Sequence, residues 1–381
     1  MLRIPIISRN WFPSIRGGAE RFISVLADLL CNKNFEIIGI TRYFPGFDKP
    51  KARHKLIYYL DKYPLPFVSS IRFSLWAARI VNRLGPDVVI VNGYWAEASP
   101  IFIRKNIPVI VVIHDVGLFR SEWARRHRFK HFLRVKILRR VVERADRIVV
   151  PVDSVKNDLV EFLGVSEDKI VVLGGEGVEG PMRFDHIDND TFDIVQVGRF
   201  APNKGQLVTL RAFRKVVRLI PNARLWLVGG KPIDKEHWKY FQRVKELADE
   251  INREMGKDNV VRIIVDAPDV SEYYRLADVC VASSVGEEGY GLVVAECMAY
   301  GKPVIASDIF RETGVASEDR ALIYRRGDHE ELANNIIKLY RDRKLYERLS
   351  RNALRYAKSV SWDRVADVFE EIIKEISGKE R

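Results

Sequence analysis

Two glutamates separated by seven residues form the strongest chemical signal in the sequence. Glu288 follows the predicted strand Val279–Ala282, and the glycines after it predict a helix that carries Glu296 about two turns in. Exposed amides at a helix start favour an anion or a hydroxyl-rich ligand, and carboxylates accept paired hydrogen bonds from neighbouring hydroxyls. The spacing therefore suits a sugar and a ribose on one ligand. Taken alone, the two glutamates also fit the solvated face of a helix.

Two cations follow a buried strand earlier in the chain. The segment VGRFAPNKG places Arg199 directly after Gly198 and places Lys204 beyond a proline turn, next to Gly205. Two positive side chains at a strand end are what a diphosphate needs when no metal neutralises it. The alternative is an ordinary strand-to-helix turn with surface cations.

A histidine, His114, ends the apolar run Val109–Ile113. Open α/β sheets bind their ligands at the carboxyl ends of the strands, so a polar residue at this point is a candidate site residue. The structural alternative is a packed histidine beside Asp115 acting as a helix cap.

In combination these motifs resemble the family-4 retaining glycosyltransferases of the GT-B fold. The motifs that carry the resemblance, in chain order, are Gly17-Gly18-Ala19-Glu20, His114-Asp115, Gly198-Arg199 with Lys204-Gly205, and Glu288 with Glu296. The segment Ala299–Ala306 that follows is also similar to that family. The resemblance covers nearly the whole chain and is more specific in the second half.

The resemblance implies a role for each matching residue. Arg199 and Lys204 would hold the diphosphate of a nucleotide-sugar donor, Glu296 would bind the ribose, and Glu288 and His114 would face the transferred sugar. The implied catalytic residues are thus His114, Glu288, Arg199 and Lys204. Donor binding would further involve backbone at Gly17, Gly18, Gly289, Tyr290, Gly291 and Leu292. The nucleotide-sugar is a substrate, so no cofactor is expected.

The elements that must position these residues alternate between short apolar runs and helix-period stretches, which is typical of parallel α/β sheets. We predict an α/β protein of GT-B type, with two Rossmann-like, doubly wound domains facing across a cleft. Residues 1–178 would form the acceptor-side domain and residues 179–360 the nucleotide-sugar domain. The linker would lie in Gly174–Asp193, and a C-terminal helix at 361–376 would pack back on the first domain. The predicted strands are Leu2–Ile7, Phe35–Ile40, Val88–Val91, Val109–Ile113, Ile148–Val150, Ile170–Leu173, Ile194–Val197, Leu225–Val228, Val261–Val265, Val279–Ala282 and Val304–Ala306.

The formal net charge of +12 lies entirely in the first half of the chain. Residues 1–178 hold 29 Lys and Arg against 17 Asp and Glu, whereas residues 179–381 hold 34 of each. The segment Arg120–Arg144 alone contributes ten cations against two glutamates, with apolar residues at four-residue spacing. Such a helix could lie on an anionic bilayer and address a lipid or glycan acceptor, or it could be a core helix with basic edges. The candidate acceptor and membrane residues are Trp123, Arg125, Arg126, Arg128, Lys130 and Arg134.

Several other classes of protein are disfavoured by the sequence. Three cysteines, Cys31, Cys280 and Cys297, are an odd number without a close pair, so neither a disulfide framework nor a thiol zinc site is expected and a cytoplasmic location is favoured. No apolar run approaches the roughly 20 residues of a membrane-spanning helix. The triplet Asp188–Asp190 precedes a strand instead of following one, so no metal site is predicted.

Two alternatives to glycosyl transfer stay open from the sequence. One is a nucleotide-sugar 2-epimerase of the same fold, which needs no second substrate. The other is a non-catalytic basic protein that binds membrane or RNA through Arg120–Arg144, since positive charge alone supports such binding. In the transferase interpretation no nucleic-acid partner is expected, and association with the inner face of a membrane would be peripheral.

Overall fold

The computed structural model describes residues 1–11, 18–43, 52–60, 66–93, 98–114, 128–232, 234–257, 259–286 and 288–378. The chain divides into two compact units. The first comprises Met1–Gly177 together with Trp362–Arg381, and the second comprises Val178–Ser361.

The first unit is built on a parallel seven-stranded sheet in the order β3-β2-β1-β4-β5-β6-β7. The strand order reverses between β1 and β4, which is the topological switch point of a Rossmann-like sheet. Its strands are β1 (Arg3–Ser8), β2 (Glu36–Tyr43), β3 (Lys55–Leu60), β4 (Val89–Asn92), β5 (Val109–Val112), β6 (Arg147–Val150) and β7 (Ile170–Val172). Its helices are α1 (Gly18–Asn32), α2 (Pro66–Leu84), α3 (Ser99–Phe102), α4 (Arg128–Arg144) and α5 (Asp153–Leu163), with a 3₁₀ turn at Glu167–Lys169.

The second unit holds a parallel six-stranded sheet in the order β10-β9-β8-β11-β12-β13, with its switch point between β8 and β11. Its strands are β8 (Phe192–Val197), β9 (Ala223–Gly229), β10 (Val261–Val265), β11 (Val279–Ala282), β12 (Val304–Ser307) and β13 (Ala321–Tyr324). Its helices are α6 (Gln206–Leu219), α7 (Lys235–Glu254), α8 (Ser271–Leu276), α9 (Leu292–Ala299), α10 (Ile309–Glu312), α11 (His329–Arg341) and α12 (Arg343–Ser359), with a 3₁₀ turn at Pro202–Lys204.

The predicted α/β architecture with two Rossmann-like sheets is confirmed. Most of the predicted strands are central strands, which are covered on both faces of a parallel sheet and read as continuous apolar runs, and the edge strands β7 and β10 were predicted as well. All four residues of β4, β5, β11 and β12 are buried. The two strands that the sequence analysis missed, β3 and β13, are edge strands of their sheets and include partly exposed residues.

The C-terminal helix α13 (Trp362–Ser377) packs on α1 in the first unit. Phe369 and Ile373 of this helix are fully buried in the core of that unit. The Lys33 ammonium lies 2.6 Å from Asp367 and 2.7 Å from Glu370, so the helix is held by charge as well as by apolar contact.

The segment predicted as a linker, Gly174–Asp193, is largely part of the second unit, which corrects that prediction. The amide of Asp185 donates to the Tyr300 carbonyl (3.2 Å), and the amide of Ile187 donates to the Arg275 carbonyl (3.1 Å). The Gly and Asp residues of this segment predicted a linker, but these backbone hydrogen bonds hold the segment on the second unit. The last predicted linker residue, Asp193, is fully buried in β8.

The expectation that the cysteines form no disulfide is wrong for one pair. Cys280 of β11 and Cys297 of α9 form a disulfide, with their Cα atoms 6.5 Å apart. They are separated by 17 residues in sequence, and only the packing of α9 against β11 brings them together. The third cysteine, Cys31, is free.

A fully buried lysine, Lys302, anchors the segment before β8. Its ammonium lies 2.8 Å from Nδ1 of His186 and donates to the Arg275 carbonyl at 3.0 Å. Burial lowers the pKa of Lys302 to about 8, because desolvation disfavours its charged form.

We predict that Lys302 makes the stability of the second unit rise with pH above about 8. The unfolded chain keeps this proton up to about pH 10.4, so between these values the unfolded state binds more protons and each pH unit adds up to about 1.4 kcal/mol to the unfolding free energy. Lys302→Met should remove this rise in denaturant titrations between pH 7.5 and 10, while the exposed Lys239→Met should keep it. An unchanged slope in Lys302→Met would refute the assignment.

Candidate functional site

Charged residues that the sequence analysis identified lie at the carboxyl edge of the second sheet. Gly198 and Arg199 follow β8, and the loop from Ser283 to Glu288 follows β11. Since β8 and β11 are paired neighbours at the switch point, both loops leave the sheet at the position where open α/β sheets bind ligands.

A buried polar network fixes the turn that carries Lys204. The Gln196 amide donates to the Lys204 carbonyl and to the Ser283 hydroxyl, both at 2.8 Å. The Ser283 hydroxyl also lies 2.8 Å from Oγ1 of Thr209 and 3.0 Å from the Gly205 carbonyl. These hydrogen bonds tie the backbone at Lys204 to the end of β11, while Oε1 of Gln196 has no hydrogen-bond partner among the described residues.

Lys204 and Glu288 form a close ion pair between these two loops. The ammonium lies 2.6 Å from one carboxylate oxygen and 2.8 Å from the other. The Ser284 hydroxyl donates to the same carboxylate. Exposed side-chain fractions of 21% for Lys204 and 8% for Glu288 show that the pair is well shielded from water. The structure therefore brings the predicted phosphate cation and the predicted sugar carboxylate together.

Arg199, the other cation of the site, differs from Lys204 in the surroundings of its side chain. Its side chain is exposed and forms neither an ion pair nor a side-chain hydrogen bond to the part of the chain that the structure describes. Its backbone carbonyl accepts a hydrogen bond from the Gln206 amide (2.8 Å), which fixes where the side chain emerges. Arg199 can thus accept an anionic ligand without losing such a partner.

Glu296 lies on α9, and its carboxylate accepts a hydrogen bond from the Tyr274 hydroxyl at 2.9 Å.

The glycines before this helix differ in their surroundings. Gly291 has φ +92° and lies against the Phe310 ring, so a side chain there would be strained, whereas none of the described atoms lies within 4 Å of a Cβ at Gly289. Tyr290, between them, is buried and its hydroxyl contacts that of Tyr356. Leu292 begins α9.

In the first unit, His114 is held by two partners at the carboxyl edge of the sheet. Its Nε2 lies 2.8 Å from Oδ1 of Asn92, and its Nδ1 lies 3.2 Å from Oε1 of Glu176. The Phe22 ring packs edge-on against the imidazole, with 5.0 Å between centroids. The exposed side-chain fraction is 9% for His114 and 13% for Glu176.

The orientation of Asn92 determines where the protons of His114 lie. The Asn92 amide nitrogen is 3.3 Å from the Ala19 carbonyl, which can only accept, and 3.1 Å from the Ser8 hydroxyl. Its oxygen therefore faces His114, and Nε2 carries a proton. The other ring nitrogen, Nδ1, faces the Glu176 carboxyl group.

Among the participating residues without a role assigned from the sequence are Glu176, Ser284 and Tyr274. For Glu176 and Ser284 a signal existed, since they stand just after β7 and β11, respectively. Tyr274 has no local signal, because only the packing of its helix brings it to Glu296.

Part of the predicted site lies outside the described residues: Gly17, Trp123, Arg125, Arg126, and the side chains of Arg128 and Lys130. Gly18 is the first residue of α1. Arg134 lies on α4 and is partly buried.

Helix α4 is partly a core helix and partly an exposed basic surface. Leu138, Val141 and Val142 are buried, whereas Phe132 is 55% exposed. An open groove of about 490 Å³ lies beside α4, and Ile101 of α3 also contributes to it. Its α4 lining is Phe132, Val135, Lys136, Ile137, Arg139 and Arg140.

Within the described ranges, no group of three or more His, Cys, Asp or Glu residues is arranged to hold a metal ion. In the same part of the chain, none of the helices is long and apolar enough to cross a membrane.

Both halves of the chain match models of known families. Residues 16–174 match the model described as Glycosyltransferase Family 4, and residues 182–356 match the model described as Glycosyl transferases group 1. The two matches fall in the first and the second unit, respectively.

Curated relatives resemble the chain over different lengths. A trehalose synthase of Thermococcus litoralis is 32% identical over 186 residues, which are 45% of this chain and 43% of that protein. The chain thus spans less than half the length of this relative. A D-inositol 3-phosphate glycosyltransferase of Thermomonospora curvata is 26% identical over 299 residues, covering 72% of this chain and 68% of the relative.

Solved structures share the fold over nearly the full length. Anabaena HepE in complex with UDP gives a TM-score of 0.76 at 15% identity, with 98% of this chain and 100% of that chain covered. Sucrose-phosphate synthase of Thermosynechococcus elongatus gives 0.75 at 21% identity, with 99% of each chain covered.

We predict that Gly205→Ala destabilises the protein far more than Gly164→Ala. Both glycines have a left-handed backbone (φ +66° and +67°), but a Cβ at Gly205 would lie 1.9 Å from the Ser283 carbonyl while none of the described atoms is within 4 Å at Gly164. Strain alone costs about 1 kcal/mol, and the clash adds at least about 2 more. Denaturant unfolding of both variants measures the difference. Equal losses would contradict the tight packing of the Lys204 turn.

Proposed function

Because the chain belongs to the family-4, group 1 glycosyltransferases, we propose that it is a retaining hexosyltransferase that uses a nucleotide-diphosphate sugar. The sugar would pass to an acceptor with retention at the anomeric carbon. The second unit would hold the donor, and the first would hold the acceptor.

One observation carries this proposal. At the switch point of the second sheet, Arg199 and Lys204 lie on the loops beside Glu288, and Glu296 follows on α9. A nucleotide-sugar presents a ribose, a diphosphate and a sugar in that order, and the edge offers cations for the diphosphate and carboxylates for the hydroxyls of the ribose and the sugar. The complex of the similar HepE structure with UDP agrees with a nucleotide donor.

In the proposed mechanism, charge separates when the bond between the sugar and the diphosphate breaks. Arg199 and Lys204 stabilise the negative charge on the leaving diphosphate without a metal ion, and the buried network behind Lys204 keeps that cation oriented beforehand. The departing phosphate takes the acceptor proton. His114 contacts the sugar by exchanging Glu176, the more distant of its two partners, and does not serve as the base.

For the acceptor, we propose a lipid-linked molecule or glycolipid at an anionic membrane on the cytoplasmic side, with peripheral association. The support is the surface of α4, where exposed Phe132 adjoins Lys136, Arg139 and Arg140 around the groove. Apolar side chains surrounded by cations fit the boundary between acyl chains and anionic headgroups. Because two of the three cysteines form a disulfide, the cysteine content no longer supports a cytoplasmic location. The proposed location therefore rests on the use of a nucleotide-sugar as donor.

The relatives favour transfer over the two alternatives. Their names describe synthases and glycosyltransferases, which fits a two-substrate reaction better than a 2-epimerisation. A non-catalytic basic protein would leave the charged edge of the second unit without a purpose.

We expect one nucleotide-sugar from a panel of UDP-, GDP- and ADP-sugars to raise the melting temperature of the protein in EDTA. A ligand at about a hundred times its dissociation constant adds roughly 2.7 kcal/mol of stability. Arg199→Ala should lose most of this shift because the diphosphate loses a cation, whereas Arg211→Ala, an exposed arginine on α6, should keep it. If none of the nucleotide-sugars stabilises the wild type, the proposed function fails.

We further expect the protein to co-sediment with vesicles containing 30% phosphatidylglycerol and not with pure phosphatidylcholine vesicles. Replacing Lys136, Arg139 and Arg140 together by Gln should reduce binding at least about tenfold, since each cation near an anionic surface contributes about 1 kcal/mol. Phe132→Ser should also weaken binding, through the loss of an inserted ring.

The matched control carries three Lys or Arg to Gln changes on exposed positions of α12, at Lys344, Arg348 and Arg351. This variant has the same net charge as the α4 variant and should bind the vesicles like wild type. Equal losses in both triple variants would show a general charge effect and reject the α4 surface.

A further inference from the structure

The two cations proposed for the diphosphate are in different electrostatic states. Arg199 is exposed and without an ion pair among the described residues, whereas Lys204 is already neutralised by Glu288 at 2.6 and 2.8 Å. In the free protein, the buried carboxylate of Glu288 thus lies beside Lys204, which is one of the two residues proposed to bind the diphosphate.

The geometry leaves Lys204 little capacity for a ligand. An ammonium has three N–H donors, and two of them are directed at the two carboxylate oxygens of Glu288. Ser284 stabilises the same carboxylate. Only one N–H is left for a phosphate oxygen, and that oxygen would approach a shielded carboxylate of the same sign.

We propose that Glu288 is the internal counter-ion of Lys204, and that its negative charge weakens the hold of the site on a nucleoside diphosphate. This inference rests on the proposed function. In the free protein the carboxylate keeps Lys204 in place, and in the bound protein it opposes the product diphosphate, whose release it thereby favours.

Burial makes this repulsion effective. Charges that are only 8% and 21% exposed are screened by salt much less than surface charges. A carboxylate and a phosphate within a few ångströms of each other in such a site repel by an amount that corresponds to about a five- to twentyfold change in affinity. Glutamine has the size of glutamate and one oxygen that can still accept from Lys204, so Glu288→Gln removes the charge while keeping one of the two contacts.

The test is isothermal titration of UDP, GDP, ADP and inorganic pyrophosphate into the wild type and Glu288→Gln, in EDTA. We expect the variant to bind pyrophosphate, and the nucleoside diphosphate that the wild type prefers, about five- to twentyfold more tightly. Affinity for the corresponding nucleoside, which lacks phosphates, should not change.

Two further variants separate this effect from general changes in charge or folding. Glu330 forms an equally short but exposed ion pair with Lys215 (2.6 Å), and Glu330→Gln should leave affinity unchanged because surface charges are screened. In a Lys204→Met background, Glu288→Gln should raise the affinity for the nucleoside diphosphate by a smaller factor than in the wild type. The reason is that part of the effect of Glu288→Gln comes from releasing Lys204.

The outcomes distinguish the two hypotheses. A wild type that binds a nucleoside diphosphate, with a folded Glu288→Gln variant that binds it equally or less tightly, overturns the counter-ion role and leaves the proposed function standing. A wild type that binds none of the four probes overturns the proposed function and this inference with it.

Discussion

The ion pair between Lys204 and Glu288 is the interaction on which the candidate site depends. It joins the turn after β8 to the loop after β11, the two loops that leave the sheet at its switch point. A buried pair of this kind is stable only if its geometry is good and its remaining bonding capacity is met. Ser284 binds the carboxylate, and the network of Gln196 and Ser283 holds the backbone of the cation. The site is therefore formed before any ligand arrives.

In the first unit, hydrogen bonds and ring packing hold the candidate residue His114 in place. His114 is held between Asn92 and Glu176, and the Phe22 ring lies against it. Phe22 in turn contacts Trp362, 5.4 Å away at the start of the C-terminal helix. At Gly177 a Cβ would come within 2.5 Å of the same indole. The returning helix thus supports the residues that hold His114, which gives its docking on the first unit a role beyond stability.

Some features could be predicted because their physical cause is local. Central strands such as β5 and β11 are apolar throughout because helices cover both faces of a parallel sheet. Polar residues just after strands, such as Arg199 after β8 and His114 after β5, become candidates because all parallel strands end at the same edge. The two strands that escaped detection, β3 and β13, are edge strands, but so are β7 and β10, which the pattern did predict, so position at the edge does not explain the omission.

Other features depend on elements distant in sequence. Cys280 and Cys297 form a disulfide only because α9 packs on β11, and the presumed linker belongs to the second unit because of bonds to Tyr300 and Arg275. The sequence by itself determined the fold class, the positions of eleven of the thirteen described strands and the identity of the charged groups, since these follow from local periodicity and from residue type. Only the tertiary structure decided that Glu288 neutralises Lys204 and that Glu176 holds His114. Partner choice depends on distances between loops that no local pattern encodes.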